Sequence, residues 1–205
     1  INTLARLGWS GGENEVFTLN ELIRDFNISE VQKAGAIFDI TKLDWINSQH
    51  LNNLSKESFK THIMPFIDNL GIDYSQYQQL DELIEAMRSV KPNLQLIAQA
   101  LIPYLDTFKE YDEKGVSKFL IGSEETLKLV IESLQTIKSW SEVEIDSMLV
   151  KIQEKLGLKT PQMNQPIRIA LTGSTQSPSL GLTIKLMGRN KSIELLNKAL
   201  KFITK

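Results

Sequence analysis

Apolar residues recur every three or four positions along most of the chain, which is the spacing of one face of an α-helix. One such stripe consists of Leu19, Leu22, Ile23 and Phe26. Thr18 and Glu21 stand at its start with the spacing of a capping box, in which a hydroxyl and a carboxylate bond to the first free N–H groups of a helix. The pattern therefore predicts a helix that begins at Thr18.

The same spacing predicts further helices along the rest of the chain, near residues 29–35, 42–51, 56–69, 77–90, 94–111, 124–140, 142–156, 179–187 and 191–203. Ser141 and Glu144 form a second capping-box pattern. Only the short apolar run 167–171 has a composition that suits a strand, and five residues do not separate a strand from a helix. We therefore expect an all-α protein of about ten helices.

Two breaks in the pattern indicate where the chain divides. Gly115 and Gly122 interrupt the periodicity near residues 114–123. A second break is predicted at residues 157–166, because Pro161 and Pro166 each disfavour a helical conformation in the residue before them.

The net charge of −2 hides a strong asymmetry. Residues 151–205 contain ten Lys and Arg against two acidic residues, whereas residues 1–150 contain thirteen against twenty-three. Such a split predicts an oriented contact with a polyanion, and a solvated basic face is the alternative. The polyanion hypothesis requires the carboxyl-terminal cations to form one continuous surface beside the turn at 172–178.

Several kinds of chemistry find no support in the sequence. The absence of cysteine removes disulfides and thiolate catalysis and fits a cytoplasmic protein. No apolar run is long enough for a membrane span, so no membrane partner is expected.

The chain has neither a phosphate-binding glycine loop nor a dinucleotide fingerprint. His50 and His62 lack metal-ligand spacing, and His50 is interpreted as a packed or surface histidine. We predict no catalytic residue and no metal site, and the start at Ile1 suggests a piece of a longer chain.

The segment from Arg168 to Gly181 carries the strongest local signal. An apolar run ends at Gly173, a loop of small polar residues follows, and Ser177-Pro178 is predicted to begin a new helix. The first N–H groups of a helix lack internal partners and lie at the positive end of its dipole. The junction is therefore suited to meet a phosphate or the polar edge of a base.

Two blocks of sequence resemble bacterial-type glutamyl-tRNA synthetases. The amino-terminal block consists of residues 4–10 (LARLGWS), 15–18 (EVFT), 33–39 (KAGAIFD) and 42–47 (KLDWIN). The carboxyl-terminal block consists of residues 167–173 (IRIALTG), 177–180 (SPSL) and 186–189 (LMGR). The resemblance implies a stem-contact region at 1–55, a first anticodon-binding subdomain at 56–115 and a second at 116–205, all helical.

The resemblance also implies what the chain does. Enzymes of this family join glutamate to tRNA with ATP and magnesium, and their two ATP-binding signatures do not occur here. The chain would then be the tRNA-reading arm of such a ligase, catalytically inactive alone and without a cofactor of its own. We expect a cytoplasmic monomer that binds tRNA(Glu), with tRNA(Gln) left open as a second partner. The alternative is a helical protein-interaction module that does not bind RNA.

The resemblance assigns tRNA contacts to ten residues. The anticodon contacts would come from Arg168, Thr172, Gln176, Ser177 and Leu180. Further contacts would come from Arg88 and Lys91 near the anticodon, and from Lys33, Lys42 and Asn47 on the D-stem backbone. Gln176 departs from the family, where an acidic residue is common.

Structural interpretations of the same residues remain open. Arg168 is the strongest candidate because a guanidinium can make two parallel hydrogen bonds to a base edge or a phosphate. It could instead pair with a carboxylate, Ser177 could cap a helix, and Leu180 could belong to the core rather than form an apolar platform for a base. Trp9 and Trp45 are interpreted as core residues, because both lie within apolar clusters.

Overall fold

Every regular element is helical in the computed structural model, which describes residues 1–32, 35 and 37–204. The α-helices are α1 (Asn2–Ala5), α2 (Leu19–Asp25), α3 (Ile40–Asn52), α4 (Lys56–Asp68), α5 (Leu80–Met87), α6 (Leu94–Leu105), α7 (Glu113–Gly115), α8 (Glu124–Thr136), α9 (Glu142–Leu156), α10 (Thr160–Thr172), α11 (Leu180–Met187) and α12 (Arg189–Ile203). A 3-10 turn spans Ile28–Glu30 and a π-helical turn spans Val116–Leu120. The predicted all-α class is confirmed. None of these helices combines the length and apolarity that crossing a membrane would require.

Side-chain caps place several helix starts where the sequence predicts them. Thr18 and Glu21 form a complete capping box at α2, with both reciprocal hydrogen bonds present. At α9 the box is half formed, since Ser141 Oγ accepts from the Glu144 N–H. Caps of this kind depend only on residues within one turn of each other, which is why the sequence reveals them.

The strand prediction for residues 167–171 is wrong, because these residues lie inside α10. Pro161 stands in the first turn of α10, where a missing N–H costs nothing. Pro166 lies within the helix. The break predicted at 157–166 is therefore too long, because the helix already begins at Thr160. Burial outweighs the proline penalty, because Ile167, Ala170 and neighbouring apolar residues of α10 are fully enclosed by other helices.

Other helices are shorter than the periodicity suggests. The chain leaves the helix after Leu105 rather than near 111, and after Thr136 rather than near 140. Residues 113–120 are helical, so the predicted subdomain boundary at 115/116 falls inside a helical segment and stays a prediction. The short helix predicted at 29–35 is replaced by the 3-10 turn, and Ala34 lies outside the described residues.

Two hydrophobic cores of unequal size hold the molecule together. The large core runs from Leu51 to Ala199 and unites α4, α5, α6 and α8 to α12. The small core consists of Trp9, Phe17 and Leu22. Helix α10 packs against α6, α7, α8, α11 and α12, so its polar face emerges where the middle and carboxyl-terminal helices meet.

Candidate nucleic-acid interface

The loop at 173–179 (the α10–α11 loop) begins at a tightly enclosed glycine. Gly173 has φ of +70°, and a Cβ added there would come within 2.8 Å of the Glu110 carbonyl oxygen and the Phe108 ring. The Gly173 carbonyl accepts a hydrogen bond of 2.7 Å from the Asp112 N–H. Only glycine fits this combination of left-handed backbone and close contact. The start of the loop is therefore held against the segment that follows α6.

Short side chains organise the rest of the loop. Thr172 Oγ1 donates to the Arg168 carbonyl at 2.8 Å and accepts from the Ser174 N–H at 3.2 Å. Ser179 Oγ accepts from the Leu182 N–H and donates to Glu142 Oε1 at 2.7 Å. Helix α11 is therefore capped by Ser179, and the expectation that Ser177 begins the helix is corrected.

Arg168 is bound to the loop through one nitrogen. Its Nη1 donates to the Ser177 carbonyl at 2.7 Å, to Ser177 Oγ at 2.7 Å and to the Pro178 carbonyl at 2.9 Å. The guanidinium is half-buried, and this burial lowers its pKa from the usual value. The alternative of a carboxylate partner is not what the structure shows, because all three acceptors are uncharged oxygens.

An open groove of about 700 Å³ lies in front of Arg168, between the end of α5 and the α10–α11 loop. We call it the loop groove. It is lined by Ala86, Ser89, Val90, Gln165, Arg168, Thr175, Gln176, Ser177, Pro178, Ser179 and Leu182. No carboxylate is present among these residues, although Glu142 reaches the lining by accepting a hydrogen bond from Ser179 Oγ.

Gln176 lines the loop groove, and Lys91 is bound to it from a second groove. Lys91 Nζ donates to Gln176 Oε1 at 2.6 Å, which joins two residues 85 positions apart in the chain. This second groove, of about 700 Å³, lies on the other side of this pair, with Met87, Leu96 and Phe108 in its wall. The structure thus brings together four of the predicted residues, namely Lys91, Arg168, Gln176 and Ser177. Thr172 contributes through its hydrogen bonds to the Arg168 carbonyl and the Ser174 N–H.

Gln165 is a candidate that the sequence interpretation missed. Its Oε1 and the Arg168 Nε are both buried, and neither has a hydrogen-bond partner within the part of the chain that the structure describes. The Nε atoms of Arg6 and Arg88 are buried without a partner as well, so these orphaned atoms do not by themselves indicate a ligand. Gln165 is a candidate because it lines the loop groove beside Arg168. A strand would have placed residues 165 and 168 on opposite faces, whereas α10 places them one turn apart.

Two of the other predicted residues occupy structural positions. Leu180 is 4% exposed and belongs to the large core, as in the core alternative, which leaves no exposed surface for an apolar platform. Arg88 donates to the carbonyls of Leu54 and Ser55 and lies over the Phe59 ring. Arg88 therefore holds the linker between α3 and α4.

Of the predicted D-stem residues, Lys42 lies in the amino-terminal region, whereas Asn47 contacts the residue that follows Lys91. Lys42 Nζ pairs with Glu15 Oε2 at 2.8 Å, and Asn47 Nδ2 donates to the Pro92 carbonyl. Lys33 lies outside the described residues. The core interpretation is confirmed for Trp9, which is 3% exposed, and is wrong for Trp45, which is 46% exposed. Trp45 is exposed because α3 packs through Ile46 and Leu51, on another face of the helix.

Three of the carboxyl-terminal cations are engaged within the fold. Arg189 donates to the carbonyls of Gln135 and Ile137, and Lys191 Nζ donates to those of Tyr104 and Asp106. Lys185 pairs with Glu82 at 2.6 Å. These three cations therefore do not extend a cationic surface beside the turn at 172–178, and one continuous surface stays a prediction for the others. Arg168 lines the loop groove.

The histidines and carboxylates suggest no metal centre. His50 is half-buried, and its Nε2 lies 3.1 Å from Asn2 Oδ1, which fits a packed histidine. Across residues 1–32, 35 and 37–204, no group of three or more His, Cys, Asp or Glu side chains is placed to hold a metal ion.

Most of the chain, including the loop groove, matches the model of a known protein family. The model of the anticodon-binding domain family matches residues 49–200, which is most of the chain. The chain belongs to the anticodon-binding domain family. The match includes the large core, the α10–α11 loop and every residue of the loop groove.

Solved structures similar to this anticodon-binding domain chain extend the comparison to its amino-terminal region. A glutamate tRNA ligase from Elizabethkingia meningosepticum covers 98% of this chain at 22% identity with a TM-score of 0.70. A glutamate-tRNA synthetase from Elizabethkingia anophelis also covers 98%, at 23% identity with a TM-score of 0.72. At this identity the likeness establishes the fold, and the resemblance predicted from the sequence is confirmed at that level. The chain spans only 40% and 39% of those two proteins.

Proposed function

We propose that the chain is the tRNA-recognising part of a glutamate–tRNA ligase, and that the loop groove receives unstacked bases of the anticodon loop. The observation that supports this most is the groove itself. It combines a guanidinium held by the loop, a neighbouring amide and no carboxylate. Sequence-specific RNA recognition mostly targets single-stranded loops, whose splayed bases offer donors and acceptors along their edges.

The polar groups of the groove suit a base edge. Arg168 Nη2 makes no hydrogen bond to the described residues and can donate to a base, whereas Arg168 Nε and Gln165 Oε1 are buried. Lys91 and Gln176 beside the groove can exchange their mutual hydrogen bond for bonds to RNA. Phosphates accept from cations and from neutral donors, whereas base reading needs donors and acceptors at defined positions. The mixture present here favours base reading, with phosphate contacts supplying affinity and salt dependence.

The ATP-dependent chemistry of this proposal belongs to a part of the full-length protein beyond these residues. The glutamate–tRNA ligases compared above are more than twice the length that the chain matches. We therefore propose tRNA(Glu) as the substrate that this part holds for a separate catalytic domain. We expect the 205-residue chain to give no glutamate-dependent ATP–pyrophosphate exchange.

Binding of tRNA(Glu) transcripts to the chain tests the proposal. Arg168→Ala should weaken binding by about 1–3 kcal/mol and reduce discrimination between anticodon-loop variants. Arg24→Ala is a matched control, because Arg24 is an exposed arginine on α2 whose partner is Asp25. Fluorescence anisotropy at two salt concentrations, with tRNA(Gln) in parallel, measures affinity and specificity.

Equal losses from both substitutions would show that only bulk charge matters and would remove Arg168 from the site. Absence of tRNA binding by the unmodified chain would overturn the proposal and favour the protein-interaction alternative. Tight binding that does not weaken with salt would also contradict it, because phosphate contacts release counterions.

A further inference from the structure

A chain of buried hydroxyl groups runs from the large core to Arg168. Tyr104 Oη on α6 donates to Thr183 Oγ1 on α11 at 3.3 Å. Thr183 Oγ1 lies 2.9 Å from Ser177 Oγ, and Ser177 Oγ accepts from Arg168 Nη1 at 2.7 Å. Tyr104 is 2% exposed and Thr183 is fully buried. Helices α6 and α11 are thereby linked to a side chain at the loop groove.

The protons of this chain can be assigned consistently. A guanidinium only donates, so Ser177 Oγ is an acceptor at that end. The Pro178 carbonyl lies 3.0 Å from Ser177 Oγ and 3.5 Å from Thr183 Oγ1. Either serine donates to threonine and threonine to the carbonyl, or threonine donates to serine and serine to the carbonyl. Both arrangements satisfy every hydroxyl group, and in both the Tyr104 proton points to Thr183.

The charge state of Tyr104 suits a permanent donor. Burial raises the pKa of the Tyr104 phenol to about 12, and the positive charge of Arg168 opposes that rise. The phenol therefore stays protonated at neutral pH. The buried end of this series of hydroxyl groups is a neutral phenol. The series therefore contains no carboxylate that would compete with RNA for Arg168.

The hydrogen bonds also decide which edge of Arg168 is available. All its hydrogen bonds to the described residues come from Nη1. The Arg168 Nε is buried, so a ligand in the groove cannot contact it in this arrangement. Because Nη1 is occupied by Ser177 and Pro178, the edge that carries Nη2 is the one left for a ligand.

We propose that Thr183 and Tyr104 are positioning residues that orient the Arg168 guanidinium through Ser177, an inference that rests on the proposed function. Thr183 occupies a fully buried site on an apolar helix, where valine has nearly the same shape. A hydroxyl there is unfavourable unless it is hydrogen-bonded, and its partners are Ser177 and Tyr104. The hydroxyl thus serves the loop rather than the packing.

Thr183→Val tests this role in the 205-residue chain. We expect the affinity for tRNA(Glu) transcripts to fall about fivefold to tenfold, the usual range for losing one buried hydrogen bond. Discrimination between anticodon-loop variants should fall with it. The dependence of affinity on salt should stay unchanged, because no phosphate contact is removed. Thr183→Ser should retain both affinity and discrimination, and Tyr104→Phe should reproduce the loss in weaker form.

Controls separate positioning from general destabilisation. Thr126→Val on α8 also removes a buried threonine hydroxyl, and it should leave RNA discrimination unchanged. Adding Thr183→Val to Arg168→Ala should cause no further loss, since both act through the same guanidinium. If Thr183→Val does not fold, Thr183→Ser and Tyr104→Phe carry the test.

The outcomes separate the proposed tRNA-binding function from the positioning role of Thr183 and Tyr104. A chain that never binds tRNA contradicts the proposed function. A chain that binds tRNA, yet discriminates anticodon variants equally well with Tyr104→Phe or Thr183→Val, overturns the positioning role and leaves the function standing. Additive losses in the double variant would likewise show that Thr183 does not act through Arg168.

Discussion

The amino-terminal fifty residues and the rest of the chain are stabilised in different ways. The region after Leu51 has one extended core that encloses side chains from α4 to α12. The described part of the amino-terminal region has a small core of three apolar residues, with Ile46 buried apart from it, and relies on polar contacts. Asn2 Nδ2 donates to the Glu15 carbonyl, and Arg6 and Lys42 both pair with the Glu15 carboxylate.

Exposure of apolar side chains follows the same division. Ile1 is 79% exposed and Ile23 is 74% exposed, and both line an apolar depression with Leu4, Leu19 and Phe26. The loop groove, by contrast, is backed by helices whose inner faces are almost fully buried. Base reading requires side chains held within fractions of an ångström, so the extensively packed region is the better support for the interface that we propose.

Paired tryptophan substitutions give the largest expected difference between the two regions. Trp9→Ala should cost the amino-terminal region about 3–5 kcal/mol, because Trp9 is the largest part of its core. Trp45→Ala removes an exposed indole and should cost less than about 1 kcal/mol. Hydrogen–deuterium exchange should show lost protection in residues 1–30 only for Trp9→Ala. Equal loss of protection across residues 51–200 would mean that both regions unfold together and would break the comparison.

A glycine pair probes how closely the loop is packed in the larger region. Gly173→Ala forces a left-handed alanine against Glu110 and Phe108 and should cost about 2–4 kcal/mol. Gly122 also has positive φ, but a Cβ there meets nothing within 4 Å, so Gly122→Ala should cost about 1–2 kcal/mol. Urea denaturation measures both. Equal costs would show that the enclosure of the loop does not contribute to stability.

Two carboxylates should give opposite pH dependences in the two regions. Pairing with Lys42, and further with Arg6, lowers the pKa of Glu15 below its ordinary value near 4.5. The contribution of Glu15 to the free energy of unfolding is present above that value and is lost as the pH falls through the folded-state pKa. Glu15→Gln should therefore destabilise the amino-terminal region at neutral pH by less than about 1 kcal/mol, because the group is solvent-screened.

Asp146 in the larger region behaves in the opposite sense. Burial, and then the nearby Glu142, raise the pKa of Asp146 above its ordinary value near 3.8. The contribution of Asp146 to the free energy of unfolding is fully present below that value and is lost as the pH rises through the folded-state pKa. Asp146→Asn should therefore stabilise slightly at neutral pH, by less than about 1 kcal/mol, and not at pH 3. Thermal unfolding from pH 3 to 7 compares both variants, and shifts of the same sign would contradict the assignment.

Most of the helices, the caps at Thr18 and Ser141, the family and the position of the α10–α11 loop could be predicted from the sequence. These features depend on residues within a few positions of one another, as with Thr18 and Glu21. Where local signals conflicted, as at Pro166 and the run 167–171, tertiary burial decided in favour of the helix.

Only the tertiary structure decided which predicted residues meet at a groove. Lys91 and Gln176 come together across 85 positions, Gln165 joins Arg168 because α10 is a helix, and Leu180 turns inward while Trp45 turns out. Periodicity reveals that a helix has an apolar face, but it does not reveal which neighbour covers that face. The free edge of Arg168 follows from α6, α10 and α11 packing together, and no local pattern encodes that arrangement.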